Sequence, residues 1–357
     1  MNRNVFVAFR GVFIIHWCPL VQLLICVISD FNHVSEAVQN CKDIVLNGIH
    51  VPEGEQLDLR LTEGTSVSFR GNITFGYKEW NGPLVHLTGT NLTITGEEDS
   101  VLDGQGLLYW DGKGTGGGSR PRFFRITVEN SILENINVKN CPVLCVLIRS
   151  SNNLIVRNWN INNLEGEEGV VPKNKSGHNT DGFNIENTNN SVVEHSTIYN
   201  QDDCVVVASG KNLTIRNIFC HGSHGLSVRG VGDTLQDVLF TDSILTMGEN
   251  GIHIKTPTVG DEGLIKNITY NNITILDSSK YGINIQQNYP DAGIPINKVP
   301  IRNLRLQNIF GNVLDGAVPV FIMCAEEGCF DWEFENVQIF GNRPDNCTNY
   351  IPHGYNC

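Results

Sequence analysis

A degenerate repeat constrains the fold of this chain more than any other feature. Asn followed by alternating β-branched or aliphatic residues recurs, for example at residues 91–94 (NLTI), 212–215 (NLTI) and 267–270 (NITY). Successive units start roughly 20 to 40 residues apart, which is the range in which internal repeats indicate a solenoid. Val, Ile and Thr suit a pleated strand, and Asn tolerates the left-handed backbone of a sharp corner. Each unit is therefore predicted to be a coil of short strands.

A single coil cannot bury its apolar face, so neighbouring coils must stack. We therefore predict an all-β fold, a single right-handed parallel β-helix. A two-sheet sandwich is the alternative, but it does not explain the long repeat. A solenoid grows along its axis, so 357 residues still fit one domain. We expect that domain to span residues 26–357, with the Gly-rich stretch 112–118 as a loop inside it.

The N-terminus carries Arg3 and Arg10, followed by a broken apolar run from Val12 to Ile28. A basic segment before a short apolar segment is typical of a cleaved secretory signal. We therefore predict a signal peptide at residues 1–25, a secreted extracellular protein and no membrane span in the mature chain. Eight Asn-x-Ser/Thr sequons fit this location, and we expect some of them to carry glycans.

The cysteine count agrees with secretion. The chain has 11 cysteines, and signal cleavage before Cys26 would remove Cys18 and leave an even number. The spacings suggest four disulfides, namely Cys26–Cys41, Cys204–Cys220, Cys324–Cys329 and Cys347–Cys357. Cys141 and Cys145 could pair or remain buried thiols. No paired Cys-x-x-Cys set occurs and the histidines do not cluster with cysteines, so we expect no zinc site and no cofactor.

Four polar clusters fall at nearly even spacing: residues 179–181 (NTD), 201–204 (QDDC), 223–225 (SHG) and 253–255 (HIK). The interval matches one coil, so Asp181, Asp202, Asp203 and His224 should stack in one column about 4.8 Å per step. Three carboxylates this close repel one another, and at least one should hold its proton well above the usual aspartate pKa. Paired acid and base carboxylates are the groups that cleave glycosidic bonds. For any single Asp, a structural corner residue is the commoner role.

Asp202 and Asp203 are adjacent, so in an ideal strand they would face opposite sides. Both can line one cleft only if a turn or bulge intervenes. We therefore expect a break in the strand at this point.

These motifs, together with Tyr281-Gly282 and residues 286–289 (QQNY), resemble the polygalacturonases of glycoside hydrolase family 28 in order and spacing. The resemblance covers nearly the whole mature chain. It implies a parallel β-helix that hydrolyses α-1,4 bonds between galacturonic acid units of pectin and inverts the anomeric centre. It also implies roles for single residues. Asp202 would be the general acid, and His224 would sustain its protonation.

The same resemblance implies that Asp181 and Asp203 activate the attacking water. Lys255 and Tyr289 would bind galacturonate, and Asn179 would shape the cleft. Inversion predicts carboxyl groups roughly 6.5 to 9.5 Å apart. Because no large insertion would close one end of the cleft, we expect internal cuts.

One position departs from the family pattern. The usual triplet is Arg-Ile-Lys, and this chain has His253 in place of the arginine. Histidine offers at most a single cationic contact, and only at acid pH. Losing a charge-assisted contact would cost about 1.5 to 3 kcal/mol, or about ten- to a hundredfold in activity. Arg229 could supply the missing charge, although an exposed solubilising role is the commoner one for such a residue.

The net charge of −13 at pH 7 argues against nucleic-acid and anionic-membrane partners. The expected partner is pectin or polygalacturonic acid, bound by a monomer with an acidic pH optimum, at which His253 would be protonated. Two alternatives remain. A weakened or inactive relative would bind pectin or oligogalacturonides without cutting, and a calcium-assisted pectate lyase would leave an unsaturated product.

Overall fold

The structure is a computed structural model that describes residues 7–9, 12–14, 25–114, 116–290 and 293–357. Most of the predicted signal peptide, including Cys18, lies outside these residues. Strands Val7–Phe9 and Val12–Ile14 pair with each other in antiparallel fashion. None of the helices in the described ranges combines the length and hydrophobicity that crossing a bilayer requires.

Short strands make up almost all of the regular structure. Numbered along the chain, they are β1 Val7–Phe9, β2 Val12–Ile14, β3 Ile25–Ile28, β4 Asp43–Asn47, β5 His50–Val51, β6 Leu57–Arg60, β7 Ser66–Arg70, β8 Asn72–Phe75, β9 Val85–Thr90, β10 Thr93–Gly96, β11 Val101–Asp103, β12 Phe124–Glu134, β13 Asn137–Lys139, β14 Val146–Arg149, β15 Asn152–Arg157, β16 Asn160–Asn162, β17 Phe183–Glu186, β18 Thr188–Tyr199, β19 Val205–Val207, β20 Gly210–His221, β21 Leu226–Arg229, β22 Thr234–Thr246, β23 Asn250–Pro257, β24 Leu264–Ser278, β25 Tyr281–Tyr289, β26 Ile301–Val313, β27 Val318–Met323, β28 Cys329–Phe330, β29 Glu333–Phe340 and β30 Asn346–Thr348. Within the described residues the one α-helix is α1 Val34–Asn40, and 3-10 turns occupy Phe31–His33, Gly106–Leu108, Leu164–Gly166 and Lys173–Lys175.

From β3 onward every strand pairing is parallel, and each strand pairs with the equivalent strand of the next coil. Three stacked sheets result, and they run the length of the molecule. The sheet that carries the functional residues, here called the cleft sheet, contains β6, β9, the first half of β12, β14, β17, β19, β21, β23, β25, β27 and β30. The predicted parallel β-helix is therefore confirmed.

The Asn repeat marks the corners between sheets. Asn190, Asn212 and Asn267 all adopt positive φ angles of 51° to 55°. Their side chains form ladders along the outside of the coil, as when the Asn212 amide donates to Asn190 at 2.9 Å. A β-branched residue could not hold this backbone conformation without strain. The corners therefore explain why the strand motif begins with Asn.

Aromatic and aliphatic side chains fill the centre of the coil. Phe75, Phe123, Phe124, Trp159 and Phe183 form a continuous row, with ring centroids 5.2 to 5.6 Å apart. At the N-terminal end, α1 buries Val34, Ala37 and Val38 against the first coils. This helix covers apolar surface of the first coil, on which no further coil stacks in the described part of the chain.

All four predicted disulfides are present, at Cys26–Cys41, Cys204–Cys220, Cys324–Cys329 and Cys347–Cys357. Cys141 and Cys145, which the sequence left open, also pair, with Cα atoms 5.4 Å apart. Residues 141–145 form bends rather than a strand, so the two side chains can meet. The free-thiol alternative is therefore wrong.

Candidate active site

The predicted column of polar residues forms along the cleft sheet. Asp181, Asp202 and His224 each lie in a short irregular segment directly before strands β17, β19 and β21. These three strands pair in parallel, with Phe183 opposite Val205 and Val205 opposite Leu226. The segments that precede them must therefore stack one above another. One oxygen of each of the three Asp carboxylates lies within 4.8 Å of the others.

A tight turn places Asp202 and Asp203 on the same side, as the sequence required. The backbone N–H of Asp203 donates to Asp202 Oδ1 at 2.7 Å. The fully buried Asn200 donates from Nδ2 to the carbonyl oxygens of Thr180, Asp202 and Asp203 at 2.9 to 3.1 Å. Asn200 therefore fixes the turn. Sequence reasoning did not single it out, since it reads as one more corner Asn.

Asp203 is held by an ion pair. Lys255 Nζ donates to both of its oxygens, at 3.0 and 2.8 Å, and both side chains are only 5% exposed. Ser227 Oγ donates to Asp203 Oδ1 at 2.6 Å. Lys255 was predicted to bind galacturonate, yet here its ammonium neutralises a buried carboxylate. Its charge therefore balances the carboxylate cluster, and the ammonium group is not a free cation.

Asp202 has a different set of partners. His224 Nδ1 lies 3.3 Å from Asp202 Oδ1, and Asn179 Nδ2 donates to Asp202 Oδ2 at 2.9 Å. The other ring nitrogen of His224 lies 3.5 Å from Glu249. Two carboxylates thus hold one imidazole between them. Asn179, predicted to shape the cleft, fixes the orientation of Asp202.

These contacts separate the pKa values of the carboxyl groups. Burial, followed by the negative charges of Asp202 and Asp203, raises the pKa of Asp181 to about 8. Burial by itself would also raise the pKa of Asp202. The hydrogen bond and charge of His224, aided by the charge of Lys255, instead lower this pKa to about 2. The pKa of His224 rises to about 9, because Asp202 and Glu249 outweigh the opposing effect of burial.

The raised pKa of Asp181 and the lowered pKa of Asp202 favour a protonated Asp181 beside an ionised Asp202 in the free protein. One strongly raised aspartate pKa was predicted and is found. A protonated His224 favours the charged form of Asp202, so in the free protein it does not sustain Asp202 protonation in the way that the resemblance implies.

The sequence predicted that His253 is protonated in mild acid, but its surroundings favour the neutral imidazole. Burial and the positive charges of Lys255 and His224 hold its pKa well below the usual histidine value. Its side chain is 5% exposed, and among the described residues neither ring nitrogen has a hydrogen-bond partner. The prediction that mild acid protonates His253 is therefore wrong. A buried site beside two cations disfavours a third.

The remaining predicted residues also reach this region. The Tyr289 ring centroid lies 6.0 Å from that of His253 and 5.0 Å from Lys255 Nζ. Arg229 lines the cleft, but its guanidinium points toward Glu186, 3.9 Å away, and its side chain is 41% exposed. It therefore does not occupy the place of the missing arginine at position 253.

A cavity of about 720 Å³ opens beside Asp181 and Asn179. Sequence reasoning missed most of its charged lining, which consists of Arg120, Arg122, Arg149 and Glu186 together with Arg229. The side-chain amide of Asn184 also faces this cavity and hydrogen-bonds Asp181. Asn184 could have been found from the strand register, because it occupies the outward position of β17 next to Leu147 of β14.

Among the described residues, the oxygens of these three Asp carboxylates are close enough together to hold a metal cation. Both oxygens of Asp203 already accept from Lys255, and Asp202 faces His224. The counter-charges in this structure are thus side chains of the chain itself. This arrangement suits proton transfer between a protonated and an ionised carboxyl group.

Comparisons with known proteins identify the family of this chain. Residues 41–357 match the model of the family "Glycosyl hydrolases family 28". The sequence is 40% identical over 349 residues to "Polygalacturonase" of Phaedon cochleariae, which covers 93% of each chain. It is 39% identical over 342 residues to "Probable endopolygalacturonase I" of Aspergillus terreus, across 93% of this chain and 91% of the relative.

Among solved structures, endopolygalacturonase I from Stereum purpureum, complexed with two galacturonates, superimposes with a TM-score of 0.83. It is 28% identical, and the match covers 90% of this chain and 96% of that one. The comparisons of fold and of sequence therefore agree. This chain belongs to family 28 of the glycosyl hydrolases and is a glycoside hydrolase.

Proposed function

We propose that this chain is a secreted polygalacturonase that cuts α-1,4 bonds inside the homogalacturonan of pectin. The observation that carries this proposal is the stack of Asp181, Asp202 and Asp203 with one retained proton at the edge of a cleft lined by arginines. Such a cleft suits a polyanionic sugar chain, and the relatives named above are polygalacturonases. Five disulfides support secretion.

Hydrolysis needs a proton for the leaving oxygen and an activated water. In the proposal, Asp202 delivers the proton, as the resemblance implies, and the proton comes from the Asp181–Asp202 pair. Asp203 and Asp181, once it has lost its proton, take a proton from the water. Lys255 and Ser227 donate hydrogen bonds to Asp203 and so fix the position of its carboxyl group for this step.

A second assignment follows from the pKa order. Asp181 carries the proton in the free protein, so Asp181 could itself be the acid and Asp202 the base. An activated leaving group separates the two assignments, because it needs little help from an acid. If Asp202 is the acid, Asp202→Asn should recover much of its rate on an aryl oligogalacturonide while Asp181→Asn should not. The reverse pattern would assign the acid role to Asp181.

Inversion of the anomeric centre belongs to the same proposal, and it depends on how the carboxylates are spaced. One oxygen from each carboxylate lies within 4.8 Å of the others, but this distance joins single atoms and is not the carboxyl separation that distinguishes inverting from retaining enzymes. The third carboxylate provides the reason to keep inversion, because Asp181 and Asp203 together can hold a water that two carboxylates alone could not. Proton NMR of the first-formed product decides, since retention would give the α-anomer.

The main test is a reducing-end assay with polygalacturonic acid on the wild type, Asp202→Asn and Asp181→Asn. Because general acid–base groups contribute about 10²- to 10⁴-fold, each variant should lose at least about a hundredfold of the wild-type rate. His195→Gln, at an exposed corner of the coil, is the control that should retain full activity. A wild-type rate equal to that of Asp202→Asn, with retained binding of oligogalacturonides, would instead identify a noncatalytic pectin-binding protein.

A further inference from the structure

We propose that the cleft distinguishes free from methyl-esterified galacturonate units. It binds free carboxylate units on the arginine side of the catalytic carboxylates and a methyl-esterified galacturonate over His253. This inference rests on the proposed function and specifies the form of pectin that is cut. Two halves of the cleft with different charge carry it.

On the side of the earlier coils the cleft is strongly cationic. Four arginines line the cavity beside Asp181, against the two acidic residues Asp181 and Glu186. Glu186 lies 3.5 Å from Arg149 and 3.9 Å from Arg229, so one carboxylate faces two guanidinium groups. The described residues show no carboxylate within salt-bridge distance of Arg122, whose side chain is exposed. Guanidinium groups in surplus suit the carboxylates of a sugar acid polymer.

The side of the later coils lacks such a surplus. On the outward positions of β23 and β25, His253 lies between Ser227 and Asn284, and Lys255 lies between Arg229 and Gln286. The ammonium of Lys255 is already held by both oxygens of Asp203. The other cations near His253 also face carboxylates: His224 lies between Asp202 and Glu249, and Lys280 lies 3.4 Å from Glu249. Arg229 faces Glu186, and the remaining groups are neutral amides, a hydroxyl and a phenol ring. A second free carboxylate would therefore be buried against partners that have no net positive charge left to offer.

The chemistry of His253 fits an ester better than an acid. A neutral imidazole has one N–H donor and one acceptor nitrogen, and both lie buried without a partner in the described part of the chain. The N–H can donate to an ester carbonyl, whereas a carboxylate opposite the acceptor nitrogen would be repelled. The Tyr289 ring, 6.0 Å away in an edge-to-face arrangement, provides an apolar surface for the methyl group.

The experiment measures kcat/KM on pectins with graded methyl esterification. For the wild type we expect the highest value at intermediate esterification, several-fold above that on fully de-esterified polygalacturonic acid. His253→Arg should move the maximum to polygalacturonic acid and raise kcat/KM there by about ten- to a hundredfold, because it adds a charge-assisted contact. His253→Gln, which keeps a neutral donor and acceptor, should preserve the wild-type order.

The matched control is His50→Arg, which makes the same chemical change at an exposed position of β5, outside the cleft sheet. It should leave the preference unchanged. Mass spectrometry of the products supplies a second readout. At each cut, one new chain end should carry the ester and the other should carry free acid.

A wild-type preference for polygalacturonic acid, or ester distributed equally over both new ends, overturns the inference while leaving the hydrolase intact. Complete inactivity on every pectin would instead refute the proposed function. Calorimetry with a hexagalacturonate and its partly methylated form then still decides the inference. Tighter binding of the methylated form supports it, and equal or weaker binding overturns it.

Discussion

At the scale of single residues, the chemistry of the site depends on how one proton and two cations are distributed over its three carboxylates. Three carboxylates share one stored proton, one ammonium and one imidazolium. Each cation is committed to a particular carboxylate, Lys255 to Asp203 and His224 to Asp202. This pairing makes the aspartates chemically different although they lie side by side.

The pH dependence follows from this distribution. The Asp181–Asp202 pair carries one proton between its lower pKa of about 2 and its upper pKa of about 8. Above about 8 the pair loses the proton that the acid must donate, and below about 2 it gains a second one that blocks the base. We therefore expect kcat/KM to be broad across the acidic range and to fall as the pH rises through about 8.

His224→Gln tests this distribution. Removing the imidazolium removes the influence that lowers the pKa of Asp202, so the acidic limb of kcat/KM should move to higher pH. The overall rate should also fall. His221→Gln, at the last residue of β20, is the control and should leave the acidic limb in place. An unchanged acidic limb in His224→Gln would show that another group sets the pKa of Asp202.

At the scale of elements, the coil depends on places where two backbones approach closely. Gly210 begins β20 with φ of 126°, and a Cβ atom there would lie 1.9 Å from the carbonyl oxygen of Thr188 in the preceding coil. Only glycine permits this approach. Gly210 thus permits the close approach of β18 and β20 at the first of their paired positions, Thr188 opposite Gly210.

Gly210→Ala should therefore destabilise the protein strongly. The backbone conformation alone costs about 1–3 kcal/mol for a non-glycine residue, and displacement of the Thr188 carbonyl adds to this. Gly260→Ala is the matched control, because Gly260 has φ of 108° but no atom within 4 Å of the added Cβ. Urea unfolding should show a distinctly larger loss for Gly210→Ala. Equal losses would mean that the close approach contributes nothing.

At the scale of the whole molecule, the surface charge and the cleft charge oppose each other. The chain has a net charge of −13 at pH 7, yet the cavity beside the carboxylates contains four arginines. Substrate capture should therefore be controlled by local attraction and not by the overall charge. Ionic strength distinguishes the two, since salt screens exposed charges over about 10 Å at 0.1 M.

We expect kcat/KM on polygalacturonic acid to fall as salt rises from 0.05 to about 0.5 M. Arg122→Gln/Arg149→Gln should flatten this dependence, because it removes two exposed cations from the cleft. Lys211→Gln, an exposed cation on the strand β20, is the control and should keep the wild-type slope. If the net charge dominated instead, salt would increase the rate.

The sequence predicted those features that repeat with the period of the coil. These are the parallel β-helix, four disulfides and the column of Asp181, Asp202, Asp203 and His224. Features that depend on distant or irregular segments escaped prediction. The Lys255–Asp203 pair joins residues 52 positions apart, and Arg120 and Arg122 follow a loop that carries no motif. The neutral state of His253 depends on its burial and on the cations around it, which a one-dimensional pattern does not reveal.

For the proposed pectin substrate, the arginines beside an otherwise acidic exterior have a consequence for movement within a gel of anionic polymer. A uniformly cationic enzyme would adhere to the first pectin strand it met, with the wrong side as often as with the right one. In the proposed function, most of the acidic exterior of this molecule would be repelled by the gel, and the arginine-lined groove would attract it. Such a particle can diffuse through a charged mesh and stop only where a strand lies along the groove.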